Sequence, residues 1–192
     1  MTFEPPPAAA AWGHRGAREG FEVVYIEAAD SGLLTEGYVT AVERGETWAV
    51  EYLIALDEDW RTRNARVRAR TAAGGHELLL ERDASGWLVN GTRAPELDGC
   101  LDVDLEASSF TNAFPVHRLA LEVGEEADAP AAYVRALDLS VERLEQRYVR
   151  LPDDGDRRRF HYTSPAFDFE ADLVYDAAGL VIDYPGIAVR AA

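Results

Sequence analysis

Asp102 and Asp104 stand two residues apart in Leu101-Asp102-Val103-Asp104-Leu105, a segment whose apolar members suit a β-strand. Alternate residues of a strand share a face, so backbone rise alone sets the two carboxylates about 6.6 Å apart, near the separation used by inverting glycosidases. A glycan-acting hydrolase is therefore one reading of the pair. The plainer one is a solvated strand face, because the chain carries 35 acidic residues and alternate acids are common on exposed strands. Ser108, Thr111 and Asn112 follow closely, and their short polar side chains suit loop backbone groups or a turn cap.

A second set is basic. Along Trp60–Thr71, Arg66, Arg68 and Arg70 fall on one side and Ala65, Val67 and Ala69 on the other, and the same stretch also carries Arg61 and Arg63. Guanidinium groups bind carboxylates and phosphates bidentately, but cross-strand pairing with Glu and Asp is the more economical use of such a row. Trp48, Trp60, Trp87, Tyr148, Tyr162 and Tyr184 could stack on sugar rings or lipid chains, although aromatic residues on strands more often form plain core.

Other chemistries lack support. His14, His76, His117 and His161 show no paired spacing, and Cys100 is the single cysteine, so a zinc site is not expected. There is no Gly-x-Ser-x-Gly elbow, no local signature of a cysteine nucleophile and no glycine-rich phosphate loop. No cofactor is expected.

The elements that must position these residues read as strands almost throughout. Phe21–Ile26 is β-branched and aromatic, Leu33–Val42 follows the Asp30-Ser31-Gly32 turn, and Trp48, Val50, Tyr52, Ile54 and Leu56 share one face of the next strand. Trp60–Thr71, Glu77–Glu81 and Trp87–Val89 continue the series, the last two joined by Asp83-Ala84-Ser85-Gly86. Asp98–Leu119 has no steady period and reads as a short strand followed by a loop or helical turn. Glu122–Pro130 reads as an acidic turn. Strands resume at Tyr133, at Arg143–Leu151, at Arg158–Thr163, in the alternating Phe167–Leu173, and at Leu180–Ile182. No helix of ordinary length is expected.

With 192 residues, 47% of them hydrophobic, the chain can fill one core. Residues 1–18, with a proline run and small residues, are expected to form a loose arm ahead of one β domain spanning 19–192. The net charge of −16 opposes attraction to nucleic acid and to anionic membrane surfaces, although every one of the 19 basic residues is arginine. A lone cysteine, an N-terminus without a signal-peptide pattern and no stretch of roughly 20 apolar residues lead us to expect a cytoplasmic protein with no stable membrane anchor.

Two stretches recur in order. Tyr52–Asp57 is echoed by Tyr133–Asp138, and Asp83–Val89 by Asp176–Ile182. The echoes favour an internal duplication with halves of about 19–120 and 121–192. Two such halves would curl into one large, strongly curved antiparallel sheet or open barrel, an all-β fold with few short helical turns and a concave side suited to an apolar ligand.

Gly99–Leu105 and Phe110–Leu119, together with Trp60-Arg61-x-Arg63, Gln146-Arg147-Tyr148 and Gly179–Gly186, resemble the bacterial proteins named as glycolipid-binding. The resemblance runs from about residue 12 to residue 190, and Thr111-Asn112-x-x-Pro115 is its most specific part. Ser109 stands where that family usually has proline, and His117 where arginine is common. The resemblance implies a large curved sheet like those of periplasmic lipoprotein and glycolipid carriers, and non-covalent binding of a lipid or glycolipid in an apolar concavity. The ligand-binding candidates are Trp60, Arg61, Arg63, Thr111, Asn112, Arg118, Gln146, Tyr148, Tyr162 and Tyr184, with Arg61, Arg63 and Arg118 facing polar or anionic head groups. A structural or protein-interaction module is the reading to prefer if the concavity is filled by the chain's own side chains.

Overall fold

The computed structural model describes residues 2–16 and 18–192. Seventeen strands make up most of it. The first eight are β1 (Ala9–His14), β2 (Arg18–Ala29), β3 (Gly32–Glu43), β4 (Glu46–Leu56), β5 (Thr62–Thr71), β6 (Gly74–Asp83), β7 (Gly86–Val89) and β8 (Thr92–Arg93). β9 (Asp102–Leu105) precedes a seven-residue helix, α1 (Ala113–Leu119). The remainder are β10 (Glu126–Asp128), β11 (Ala131–Val134), β12 (Val141–Leu144), β13 (Arg147–Asp154), β14 (Arg157–Ser164), β15 (Phe169–Tyr175), β16 (Val181–Tyr184) and β17 (Ala188–Arg190).

Fourteen strands form one antiparallel sheet in the order β10-β13-β14-β15-β16-β17-β1-β2-β3-β4-β5-β6-β7-β8, and β12-β11-β9 form a small second sheet in which β11 and β9 run parallel. The large sheet is not closed. Laid flat, its strands would span roughly 60 Å at the usual spacing. Instead both wings reach the segment between Ala94 and Leu121: Trp87 in β7 donates its indole N–H to the Cys100 carbonyl at 2.9 Å, and Tyr148 in β13 donates its hydroxyl to Asn112 at 3.3 Å. The sheet is therefore strongly curved around this segment.

Side-chain alternation decides which face turns inward. Trp48, Val50, Tyr52, Ile54 and Leu56 of β4 are all buried, as are Ala65, Val67 and Ala69 of β5. The intervening Arg66 and Arg68 point outward and pair with Glu77 across the strands, Arg66 at 2.8 and 3.0 Å and Arg68 at 3.0 Å. The arginine row is thus an ion-paired outer face. Inside, Leu97, Val103, Leu105, Phe110 and Phe114 pack into one core with β1–β7, while Val116 and Leu121 pack with Tyr148, Phe160, Leu173 and Tyr175 of the other wing.

The expectation of a loose arm over residues 1–18 is overturned. Ala9–His14 is a strand at the middle of the large sheet, paired with β2 on one side and β17 on the other. Trp12 lies opposite Glu22 and Arg190, is fully buried, and donates its indole N–H to the Val181 carbonyl at 2.7 Å. Ahead of it, the Glu4 N–H bonds the Ala177 carbonyl and Phe3 lies 4.3 Å from the His117 ring. The local composition concealed this because every partner of β1 except β2 is about 170 residues away.

Three boundaries also differ from the sequence pattern. Arg143–Leu151 divides at Glu145 into β12 and β13, which belong to different sheets. The acidic Glu122–Pro130 contains the short edge strand β10. Trp60 falls outside β5 and takes a left-handed backbone conformation, φ +64°. Of the two echoed stretches, Tyr52–Asp57 starts in β4 of the large sheet while Tyr133 lies in β11 of the small one. Asp83–Val89 and Asp176–Ile182 both turn between paired strands, each with the first aspartate accepting a downstream backbone N–H.

β1 joins the wing of β2–β8 to the wing of β10 and β13–β17. Trp12→Ala should therefore cost about 3–5 kcal/mol of unfolding free energy, as removal of a fully buried tryptophan does. Phe21→Ala, on the exposed face of β2, should stay within about 0.5 kcal/mol of wild type. Urea denaturation of both variants checks the contrast.

Candidate functional site

β9 sits across the inner face of the large sheet, held by its parallel pairing with β11 and by the Val103 N–H bond to Thr62 Oγ1 at 3.1 Å. It delivers Asp102 and Asp104 to different surroundings. Asp102 is buried and closed off by Arg118 of α1, whose Nε lies 3.1 Å from Oδ1 and whose second nitrogen lies 2.6 Å from Oδ2. Burial raises its pKa against the pull of that guanidinium. Asp104 accepts the Thr111 hydroxyl at 2.9 Å and the Gln146 amide at 2.5 Å, and burial pushes its pKa up to about 6. Asp104 borders a cavity and Asp102 does not. The pair expected to act together is thus divided between a structural ion pair and a cavity wall.

The loop after β9 is fixed by a carboxylate from the sheet. Glu22 of β2 is fully buried and accepts the Tyr52 hydroxyl at 2.8 Å, the Ser108 hydroxyl, and the Ser109 backbone N–H at 2.7 Å. Burial raises its pKa in spite of these donors. Ser109, which departs from the proline usual in the resembled family, makes a backbone bond that proline cannot make. Tyr52 reaches Glu22 because Gly37 lies opposite it on β3: a Cβ at Gly37 would come within 1.9 Å of the tyrosine ring.

Between this loop, β9, β11, the β14–β16 wing and the end of β1 lies a cavity of about 270 Å³. Its apolar wall is aromatic. Tyr162, Phe169 and Tyr184 form one group with ring centroids 5.9–6.2 Å apart, and Tyr133 and Phe167 form a second at 5.3 Å. Asp104, Glu106, Ser109 and Asn112 supply polar wall, and Arg15, Arg18, Arg135 and His14 supply basic groups. Burial and neighbouring Arg18 lower the His14 pKa to about 4, so its imidazole is neutral, and neither ring nitrogen has a hydrogen-bond partner.

Of the ten candidates from the sequence, Asn112, Tyr162 and Tyr184 line the cavity. Thr111 and Gln146 hold Asp104, and Tyr148 stands behind the wall as the donor to Asn112. Arg118 is spent on Asp102. Trp60 stacks flat on His117 at 3.5 Å, Arg61 pairs with Asp59 at 3.3 Å, and Arg63 bonds Ser31 at 2.7 Å; none of the three is part of the cavity. His14, Arg15, Arg18, Tyr133, Arg135, Phe167 and Phe169 were not anticipated. The one available signal was a histidine and two arginines ending an apolar run at Trp12. Among the described residues, no group of three or more His, Cys, Asp or Glu could hold a metal ion.

Glu22, Asp102 and Asp104 all have raised pKa values, so between the unfolded and folded values the native state holds more protons. Their favourable contribution is complete below about pH 4, the unfolded Asp value, and for Asp104 is lost as pH rises through about 6. Asp104→Asn has no such loss. Its urea midpoint should gain on wild type from about pH 4 to about pH 6 and then hold level to about pH 7.5, and a constant gap across the whole range would refute the assignment.

The chain can now be set beside known proteins. The family model described as "Putative glycolipid-binding" matches residues 9–190. The crystal structure of a DUF1089 family protein from Pseudomonas aeruginosa is 30% identical, with a TM-score of 0.72 over 97% of this chain and 95% of that one. A β-barrel-like protein of domain of unknown function DUF1849 from Brucella abortus shares the fold at 10% identity, with a TM-score of 0.52 over 95% and 92% of the two chains. No curated protein matches. Matched by the family model over nearly its whole length, the chain belongs to the family described as glycolipid-binding.

Proposed function

We propose that this protein binds, without chemical turnover, the head group of a lipid or glycolipid in the cavity beside Asp104. The observation that carries this reading is the composition of the wall: five aromatic rings in two groups, interrupted by Asp104, Asn112, Ser109 and an unpartnered His14. Aromatic faces stack on the apolar faces of sugar rings, and acceptors and donors between them match hydroxyls. The name of the family points the same way.

The expected apolar concavity is occupied by the chain itself, because Leu97, Val103, Leu105, Phe110 and Phe114 fill the inner face of the sheet; this filling taken alone favours a structural module, and the aromatic-walled cavity beside Asp104 is what favours binding instead. What remains is about 270 Å³, just below the roughly 300–1,000 Å³ usual for drug-sized ligands. That is room for a ring or a short chain segment, which favours the head group as the bound part and leaves acyl chains outside. No helix among the described residues is long and apolar enough to cross a membrane. A buried, unpaired Cys100 suits a reducing compartment, and a cytoplasmic site of action is part of the proposal.

Glycan hydrolysis is the second reading, kept by Asp104 with a pKa near 6 and by Glu106 two residues on, both at the cavity. Against it, Glu106 is already engaged, accepting the Ala136 N–H at 2.8 Å and pairing with Arg135.

Titration calorimetry with octyl glucoside should give one site per chain, and Tyr184→Leu should weaken it about tenfold, the loss of roughly 1.4 kcal/mol that a stacking ring can supply. Chromogenic glycosides should show no turnover above that of Asp104→Asn. Absence of binding across octyl glucoside and a panel of lipids would refute the binding reading, and turnover abolished by Asp104→Asn would establish the hydrolase instead.

A further inference from the structure

The basic groups at the cavity are unequal. Arg18 donates to the Glu106 carbonyl at 3.0 Å, pairs with Glu43 at 3.7 Å and lies over Trp48. Arg135 pairs with Glu142 at 2.6 Å and Glu106 at 3.7 Å while covering Tyr133 and Phe167. Both are held in place and neutralised. Arg15 is exposed, and among the described residues no side-chain hydrogen bond or ion pair engages its guanidinium. Its backbone is nonetheless pinned, since its N–H bonds the Ile187 carbonyl at 2.8 Å. The residue before it, His14, is nine-tenths buried at the same cavity with two unsatisfied ring nitrogens.

An orphaned buried imidazole costs free energy unless a ligand or water satisfies it. A neutral imidazole offers one donor and one acceptor, the combination that a hydroxyl pairs with. An unengaged guanidinium offers a fork that fits a carboxylate or phosphate. In a chain of net charge −16, Arg18 and Arg135 are already matched by Glu43, Glu106 and Glu142, so Arg15 is the cavity arginine whose charge is left for a ligand.

Resting on the head-group reading above, we propose that the cavity is specific for an acidic sugar ring, with Arg15 binding its carboxylate or phosphate and His14 bonding a ring hydroxyl. The aromatic groups then stack on the ring and Asp104 accepts from a second hydroxyl. The acid selects among head groups; the rings and Asp104 serve any sugar.

Calorimetry with octyl glucuronide, octyl glucoside and free glucuronate tests this on wild type, Arg15→Gln and His14→Phe. Wild type should bind octyl glucuronide at least tenfold more tightly than octyl glucoside. Arg15→Gln, at an exposed position, should weaken octyl glucuronide at least tenfold more than octyl glucoside and so erase that preference. His14→Phe should keep or raise the melting temperature, because it removes an orphaned polar group, and should weaken both glycosides at least fivefold. Equal affinity of wild type for the two glycosides, or a preference that survives Arg15→Gln, overturns the acidic-sugar proposal while leaving head-group binding intact. Failure of both glycosides to bind overturns the two together. Free glucuronate binding as tightly as octyl glucuronide supports the acidic-sugar site and assigns it to a soluble sugar acid.

Discussion

The Glu22 carboxylate, buried on the inner face of β2, ties the large sheet to the segment it encloses. A buried charge is costly unless hydrogen bonds replace its water, and here the replacements come from three places: Tyr52 of β4 and Ser108 and Ser109 of the loop after β9. Because the loop supplies two of the three donors, sheet and loop cannot separate without stranding the carboxylate. The raised pKa of Glu22 records what burial still costs after those bonds. Gly37 belongs to the same device, since only a residue without Cβ leaves room for the tyrosine ring that reaches Glu22.

Once the loop is held, the rest of the interior follows. Ser108–Asn112 leads into α1, which presents Arg118 to Asp102, and Thr111 completes the shell of Asp104. Asn112 then accepts from Tyr148 through its side chain and from Tyr175 through its carbonyl, so the second wing of the sheet is bonded to the same loop. A curved sheet of this width would otherwise present a wide apolar surface to solvent. Filling it with its own chain gives a stable core and leaves one small mixed cavity where the fillers, the β14–β16 wing and the end of β1 meet. The interior thus offers a few placed groups rather than a lipid-sized trough.

Outside, the molecule handles charge conventionally. Arg66 and Arg68 are consumed by Glu77 and Glu51 on neighbouring strands, exposed pairs of the kind that contribute little individually. The excess negative charge therefore remains on the surface, which keeps polyanions away.

The strand pattern was legible because burial in a sheet follows a period of two: Trp48 to Leu56 and Ala65 to Ala69 could each be assigned a face from the sequence, as could the ion-paired role of the arginine row. Thr111 and Asn112 stood out among the short polar residues of the aperiodic Asp98–Leu119, whereas Gln146 was singled out by the resemblance to the family. The sequence thus determined the all-β class, the inward faces and part of the cavity wall. Tertiary structure alone decided that Ala9–His14 is the seam between wings, that Asp102 is closed by Arg118 while Asp104 faces a cavity, and that Trp60, Arg61 and Arg63 lie elsewhere. Each of these depends on partners far apart in the chain, such as Trp12 with Val181, Asp104 with Gln146 and Ser108 with Glu22. Local composition carries periodicity, but the closing of a sheet around its own loop is set by contacts that no window of neighbouring residues contains.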